Sequence, residues 1–184
     1  MPSSTILITG ATGFIGAHVV RDSLEAGYTV RLSIRRAKQA TQLRQLFPQY
    51  AGQLDFVVVP DITENGAFDD ALQGVTFVFH LASPMGTPGD QIAPAVQGTL
   101  SLLESAAKQP SIRKVVITAS VLSFMPLDLE RKPTVIKECD APTLTLGPTQ
   151  LASLDPISQY HASKIASYDA TAKFFGAPPT FHDY

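Results

Sequence analysis

Thr9-Gly10-Ala11-Thr12-Gly13-Phe14-Ile15-Gly16 is the stretch on which the reading of this chain turns. An apolar run, Thr5 to Thr9, leads into it, and an amphipathic stretch to about Ala26 leads out, closed by Gly27. A strand therefore runs into a tight glycine turn and out into a helix. Glycines at 10, 13 and 16 leave the backbone N–H groups bare at the positive end of that helix. That is the arrangement an approaching pyrophosphate requires, and side chains at those points would block it. Three glycines alone are a weak signal, but three between a buried strand and an amphipathic helix are a strong one. The same residues also fit a tight strand–helix turn with no ligand.

Outward from the turn, apolar runs alternate with amphipathic stretches, which is the βαβ pattern. Strands are expected at Tyr28 to Ile34, Leu54 to Val59, Val75 to Leu81 and Lys114 to Thr118. Helices are expected at about Lys38 to Phe47, Ala67 to Leu72, Ile92 to Lys108 and Ser158 to Phe175. Residues 121 to 157 carry several prolines and little periodicity, and read as one long irregular segment. The fold class is α/β, a Rossmann-type doubly wound parallel sheet. The whole chain is expected to form one dinucleotide-binding domain.

Bulk properties exclude several functions. The 184 residues suit one domain, able to bury about 70% of its unfolded surface without staples. Fourteen basic and sixteen acidic residues give a net charge of −2, without the positive patch that nucleic acid or an anionic membrane calls for. The single cysteine, Cys139, rules out an internal disulfide and fits a reducing compartment. Glu138 and Asp140 beside it disfavour its thiolate. Ile6-Leu7-Ile8 is too short for a signal peptide, and no run is long enough to span a bilayer. The expectation is a cytoplasmic protein acting on a small molecule, with no nucleic-acid and no membrane partner. His18, His80, His161 and His182 show no metal-binding spacing. His80 reads as a packed, hydrogen-bonded histidine, and His161 as structural or solvent-facing.

Residues at the strand ends refine the ligand. Ser33-Ile34-Arg35-Arg36 places a basic residue where a site for the unphosphorylated cofactor carries an acidic one. Arg35 suits a 2′-phosphate because its fork can pair bidentately; an ordinary solvated arginine pair also fits. Asp61-Ile62 follows the third strand, where a carboxylate could accept from an adenine amino group or simply cap a turn. Leu81-Ala82-Ser83 follows the fourth strand and would let the chain pass close to a cofactor. Thr118 ends the fifth. Tyr160 and Lys164, four apart, share one helix face. A tyrosine hydroxyl ordinarily titrates near pH 10, and a neighbouring ammonium stabilises its phenolate. Ser120, just past the fifth strand, could orient a substrate oxygen. Such a set could protonate a carbonyl oxygen as hydride arrives, although a Tyr and a Lys four apart are also a common surface pair.

These features together resemble the extended short-chain dehydrogenase/reductases, above all the dihydroflavonol reductases and the fungal carbonyl or aldehyde reductases. Carrying the resemblance are Thr9 to Gly16, Asp61-Ile62-Thr63, His80-Leu81-Ala82-Ser83, Pro94-Ala95-Val96-Gln97-Gly98-Thr99, Val115 to Ser120 and Tyr160-His161-Ala162-Ser163-Lys164. It implies use of NADP(H) and a catalytic set of Ser120, Tyr160 and Lys164. It also implies cofactor contacts from Gly10, Thr12, Gly13, Phe14, Ile15, Gly16, Arg35, Asp61, Ile62, Leu81, Ala82, Ser83, Thr118, Tyr160 and Lys164. A homodimer through the helices at 92–108 and 158–175 is a further implication.

Members of that family continue beyond the tyrosine–lysine helix, with a sixth strand and a smaller region that closes over the substrate. This sequence stops at Tyr184, so it is expected to be truncated. An exposed edge at the fifth strand follows, to be covered by the tail or by a second copy. Three functions fit: carbonyl reduction with NADP(H), a non-redox step such as dehydration, isomerisation or cyclisation, and a non-catalytic NADP(H)-binding module.

Overall fold

The computed structural model describes residues 4–83, 90–127, 135–137 and 142–176. Cys139 and the tail after Gly176 lie outside the described residues. Two compact units emerge, one of residues 1–83 and 101–118, the other of 84–100 and 119–184.

The first unit is a parallel sheet. Its strands are β1 (Thr5–Thr9), β2 (Thr29–Ile34), β3 (Leu54–Val58), β4 (Phe77–His80) and β5 (Lys114–Ile117). They lie in the order β3-β2-β1-β4-β5. Helix α1 (Phe14–Glu25) follows β1 and α2 (Lys38–Leu46) follows β2. Alternation along the strands sorts the core into two faces. Ile6, Ile8, Val30, Leu32 and Ile34 pack with Val20 and Leu24 of α1 and Leu43 of α2. Leu7 and Val78 point the other way, onto Phe68, Leu72 and the α3 residues Leu102 and Ala106. Helix α3 spans Ile92–Ala107.

The helix expected over Ala67 to Leu72 is instead a run of tight turns. Gly66 and Gly74 take φ of 75° and 70° at its ends. Most of its bonds span three residues, as in Asp69 N–H to Gly66 O and Gln73 N–H to Asp70 O. Phe68, Ala71 and Leu72 are buried all the same, so the apolar spacing reports packing rather than helix. Arg31 of β2 ties these turns to the sheet. Its guanidinium donates to Asp55 at 2.7 Å and to the carbonyls of Ala71 and Gln73 at 2.9 and 2.7 Å.

In the second unit, the segment read as irregular carries two ordered pieces. A 3₁₀ turn covers Val121–Phe124, and α4 covers Pro148–Ala152. Helix α5 runs Pro156–Phe175, two residues earlier than the periodicity predicts. Asp155 caps it, accepting from the N–H groups of Ile157 and Ser158 at 2.9 and 3.2 Å, and Pro156 brings a pre-set φ to the first helical position. Gly176 ends it at φ 70°.

Among the described residues β5 is an edge strand, as the sequence leads one to expect, and Val116 is exposed on it. No helix among them is long and apolar enough to cross a membrane.

Candidate functional site

Because all five strands run parallel, their C-terminal ends share one edge of the sheet. The order β2-β1-β4 places the switch in chain direction between β1 and β4, where open α/β sheets bind ligands. The glycine turn leaves β1 at that point. Gly10 has φ 73°, and a Cβ there would stand 2.8 Å from the Ala82 nitrogen and 2.9 Å from the Leu81 carbonyl carbon. Both obstacles are backbone, so neither can yield as a side chain could. A Cβ on Gly16 would run into the Gly10 carbonyl oxygen. Gly13 N–H donates to that same oxygen at 3.0 Å and closes the turn.

Helix α1 begins at Phe14 with no side-chain cap and no acidic residue in its first turn. The first N–H groups of a helix have no partner within it. Phe14 is 84% exposed and Ile15 59%. At this position the chain offers uncapped backbone N–H groups to whatever lies before the helix, with the exposed Phe14 and Ile15 side chains beside them. Thr12 is exposed as well. The Phe14 ring is 4.9 Å from that of His18, whose Nδ1–H donates to the Phe14 carbonyl at 2.9 Å.

Other sequence-predicted residues of the first unit follow the strand ends. Arg35 is exposed just after β2, and Asp61 is exposed three residues after β3. One Asp61 oxygen accepts from the Thr63 N–H at 2.8 Å and the Thr63 hydroxyl at 2.7 Å. The Thr63 hydroxyl and N–H hold the carboxyl below its ordinary range, and the Arg35 charge adds to them. Asp61 therefore caps a turn with one oxygen while lying within electrostatic reach of Arg35. Ile62, Leu81 and Ala82 are half-buried and Ser83 is exposed. Thr118 donates its N–H and hydroxyl to the His80 carbonyl, at 3.1 and 3.2 Å.

The second unit contains Ser120, Tyr160 and Lys164. Ser120 opens the 3₁₀ turn, and its hydroxyl oxygen accepts from Leu122 N–H at 3.2 Å. That use of a lone pair leaves the hydroxyl proton available to donate. The Lys164 Nζ lies 5.2 Å from the centre of the Tyr160 ring, so the two share a helix face in fact as in spacing. Burial lowers the Lys164 pKa from its ordinary value of 10.5.

Three contacts register the Ser120 turn on α5, and spacing alone does not reveal them. The buried Ser123 hydroxyl donates to the Lys164 carbonyl at 3.1 Å. The ring of His161 donates from Nε2 to the Met125 carbonyl at 3.0 Å, with His161 only 3% exposed. Phe124 meets Tyr168 edge to face at 4.9 Å. His161 is thus structural, not solvent-facing. Gln159 secures the approach to α5 by donating to the Ala152 and Leu154 carbonyls. Among the described residues no cluster of His, Cys, Asp and Glu could hold a metal.

A parallel sheet with its glycine turn at the switch point defines a Rossmann-type nucleotide-binding protein. The chain belongs to the NAD dependent epimerase/dehydratase family, whose profile matches residues 6–177. It is 38% identical over 183 residues to the ketoreductase sphI of Aspergillus fumigatus, an alignment spanning 95% of this chain and 54% of that protein. It is 37% identical over 126 residues to aldehyde reductase 2 of Sporidiobolus salmonicolor, spanning 66% of this chain and 37% of that one. The Gre2–NADPH complex of Candida albicans superposes with a TM-score of 0.83 at 30% identity, over 96% of this chain and 54% of that one. The chain thus spans about half the length of the ketoreductase and of Gre2.

Proposed function

We propose that this chain binds NADP(H) and acts as a reductase of carbonyl groups on small organic molecules. The observation that carries the reading is the close approach at Gly10, a cradle of backbone that any side chain would fill. Relatives named as ketoreductase and aldehyde reductase, and a similar structure holding NADPH, support it.

The fit to a dinucleotide is specific. The first N–H groups of α1, from Phe14 to Gly16, would hold the pyrophosphate, and the Arg35 fork would take the 2′-phosphate. Asp61 keeps one oxygen uncommitted to Thr63, able to accept from an adenine amino group. Ile62, Leu81, Ala82, Ser83 and Thr118 would line the path between. When bound, the coenzyme supplies the hydride. Ser120 donates a hydrogen bond to the substrate oxygen and orients it, keeping its own proton. Tyr160 transfers its proton to that oxygen, turning the carbonyl into an alcohol. Lys164 stabilises the phenolate that remains.

Loss of NADPH absorbance across a panel of aldehydes and ketones tests the reading. Tyr160→Phe should lower kcat by about 10²–10⁴-fold with NADPH affinity unchanged. Arg35→Ala should weaken NADPH by about tenfold or more and leave NADH untouched, because a charge-assisted pair is lost only with the former. Undiminished turnover in Tyr160→Phe removes Tyr160 as the proton donor. No NADPH binding by the wild-type chain overturns the reading as a whole.

A further inference from the structure

Thr9 ends β1 and is fully buried, directly opposite His80 in the ladder. Its hydroxyl oxygen makes three hydrogen bonds: to the N–H of Leu81 at 3.1 Å, to the N–H of Ala82 at 3.0 Å, and to Nδ1 of His80 at 2.9 Å. A hydroxyl has one proton and two lone pairs. The two N–H groups can only donate, and together they occupy both lone pairs. The proton must therefore go to His80 Nδ1, which has to be the bare, accepting nitrogen. The hydrogen-bond inventory thus sets His80 as a neutral ring with its proton on Nε2.

The held segment is the one that presses on the glycine turn. Leu81 and Ala82 supply the backbone atoms that a Cβ at Gly10 would strike. Beyond His80 the β1–β4 pairing stops, so the ladder no longer places these two residues. The Thr9 hydroxyl takes over. His80 is itself fixed: it is 2% exposed, it meets Phe68 edge to face at 6.2 Å, and its carbonyl accepts from Thr118.

We infer that Thr9 and His80 form a positioning pair for the dinucleotide crevice, in which neutral His80 aims the Thr9 hydroxyl to hold the Leu81–Ala82 backbone against the glycine turn. The inference rests on the NADP(H) reading for its functional consequence and on the hydrogen bonds alone for its structural one. A hydroxyl that served only to satisfy a buried atom would add stability without setting affinity.

The test compares Thr9→Val, which keeps the shape and removes the hydroxyl, with Thr9→Ser, which keeps the hydroxyl. In the wild-type chain, ¹⁵N NMR of the His80 ring should show the Nε2–H tautomer. Thr9→Val should speed amide exchange at Leu81 and Ala82 by about tenfold or more while Val30 and Leu32 exchange as before. NADPH affinity should fall about tenfold in Thr9→Val at a temperature where the variant is fully folded, and Thr9→Ser should restore it. A proton on Nδ1 of His80 overturns the inference. So does a folded Thr9→Val with wild-type exchange at both amides or wild-type NADPH affinity. Should Thr9→Val fail to fold, the tautomer and the Thr9→Ser measurements decide. Should the wild-type chain fail to bind NADPH, the cofactor reading falls, and exchange and tautomer still decide whether the pair holds the segment.

Discussion

The glycine turn after β1 and the helix that carries Tyr160 and Lys164 work by opposite means. The turn offers what it lacks: no side chain at Gly10 or Gly16, no cap on α1, no acid in the first turn. Its chemistry belongs to the main chain, so it is fixed once the strand and helix on either side have formed. Helix α5 offers side chains, and these need outside support. On the proposed reading Ser120, Tyr160 and Lys164 would act as a set only while the 3₁₀ turn stays in register with α5, and that register is held by Ser123, His161 and Phe124. Main-chain chemistry should therefore fail abruptly on a single added carbon, and side-chain chemistry by degrees as its supports are removed.

Gly10→Ala is the severest way to break that contrast. Alanine would pay for a left-handed φ and would also strike the Ala82 nitrogen and Leu81 carbonyl, neither of which can swing aside. Together these should cost about 3 kcal/mol or more and reduce NADPH affinity by at least about 100-fold. Gly27→Ala is the control. Gly27 has φ 85° with nothing within 4 Å of the added carbon, so only the backbone term applies, about 1 kcal/mol. NADPH affinity should not change. Urea unfolding and a binding titration on both variants check this, and equal effects at the two positions would mean that positive φ, not close approach, is what the turn requires.

Removing the supports of α5 should cost less. Ser123→Ala deletes one buried hydrogen bond, about 0.5–1.5 kcal/mol, or a fall in Tm of about 2–4 °C per kcal/mol at this chain length. Its effect on turnover should be several-fold, confined to kcat, with NADPH affinity retained. His161→Phe should behave alike, with somewhat more lost because it leaves the Met125 carbonyl without its donor. A variant that loses NADPH affinity and keeps kcat would show the two regions to be coupled in a way their separate construction does not suggest.

The difference between the regions also explains what could be read from the sequence. Glycine spacing announces the turn because glycine is the residue that backbone approach demands, and β1, β2 and α1 fall within a residue or so of expectation. Tyr160 and Lys164 are legible because four residues make one helical turn. Ser123 and His161 are not, since their partners are main-chain carbonyls 41 and 36 residues away. A carbonyl leaves no mark on a sequence. Thr9 escapes too, because two of its three partners are main-chain N–H groups and all three lie 71 to 73 residues on. The turns at 66–74 read as a helix in the sequence because burial of Phe68, Ala71 and Leu72 gives helical spacing whichever backbone presents it.

Lys164 offers the mildest test, and its sign can be worked out. Burial lowers its pKa in the folded chain below the ordinary 10.5 that holds once the chain unfolds. Near neutrality the ammonium is charged in both states, and the folded state bears the whole cost of burying it. As pH rises from the folded pKa towards 10.5, the unfolded chain binds more protons than the folded one, so stability climbs through that window. Lys164→Met removes the charge and keeps the bulk. It should therefore gain stability at pH 7, by less than about 1 kcal/mol given the solvent that a half-buried ammonium still sees. The gain over wild type should shrink across the window and vanish above it. Turnover should fall in the same variant, making Lys164 a residue kept at a cost to the fold, as active-site charges commonly are. Urea unfolding of both proteins at pH 7 and again near pH 10 measures the difference, from which every other titrating group cancels. A loss of stability at pH 7 would mean that contacts of the ammonium outweigh its burial, and α5 would then depend on the Lys164 charge as firmly as the glycine turn depends on its bare backbone.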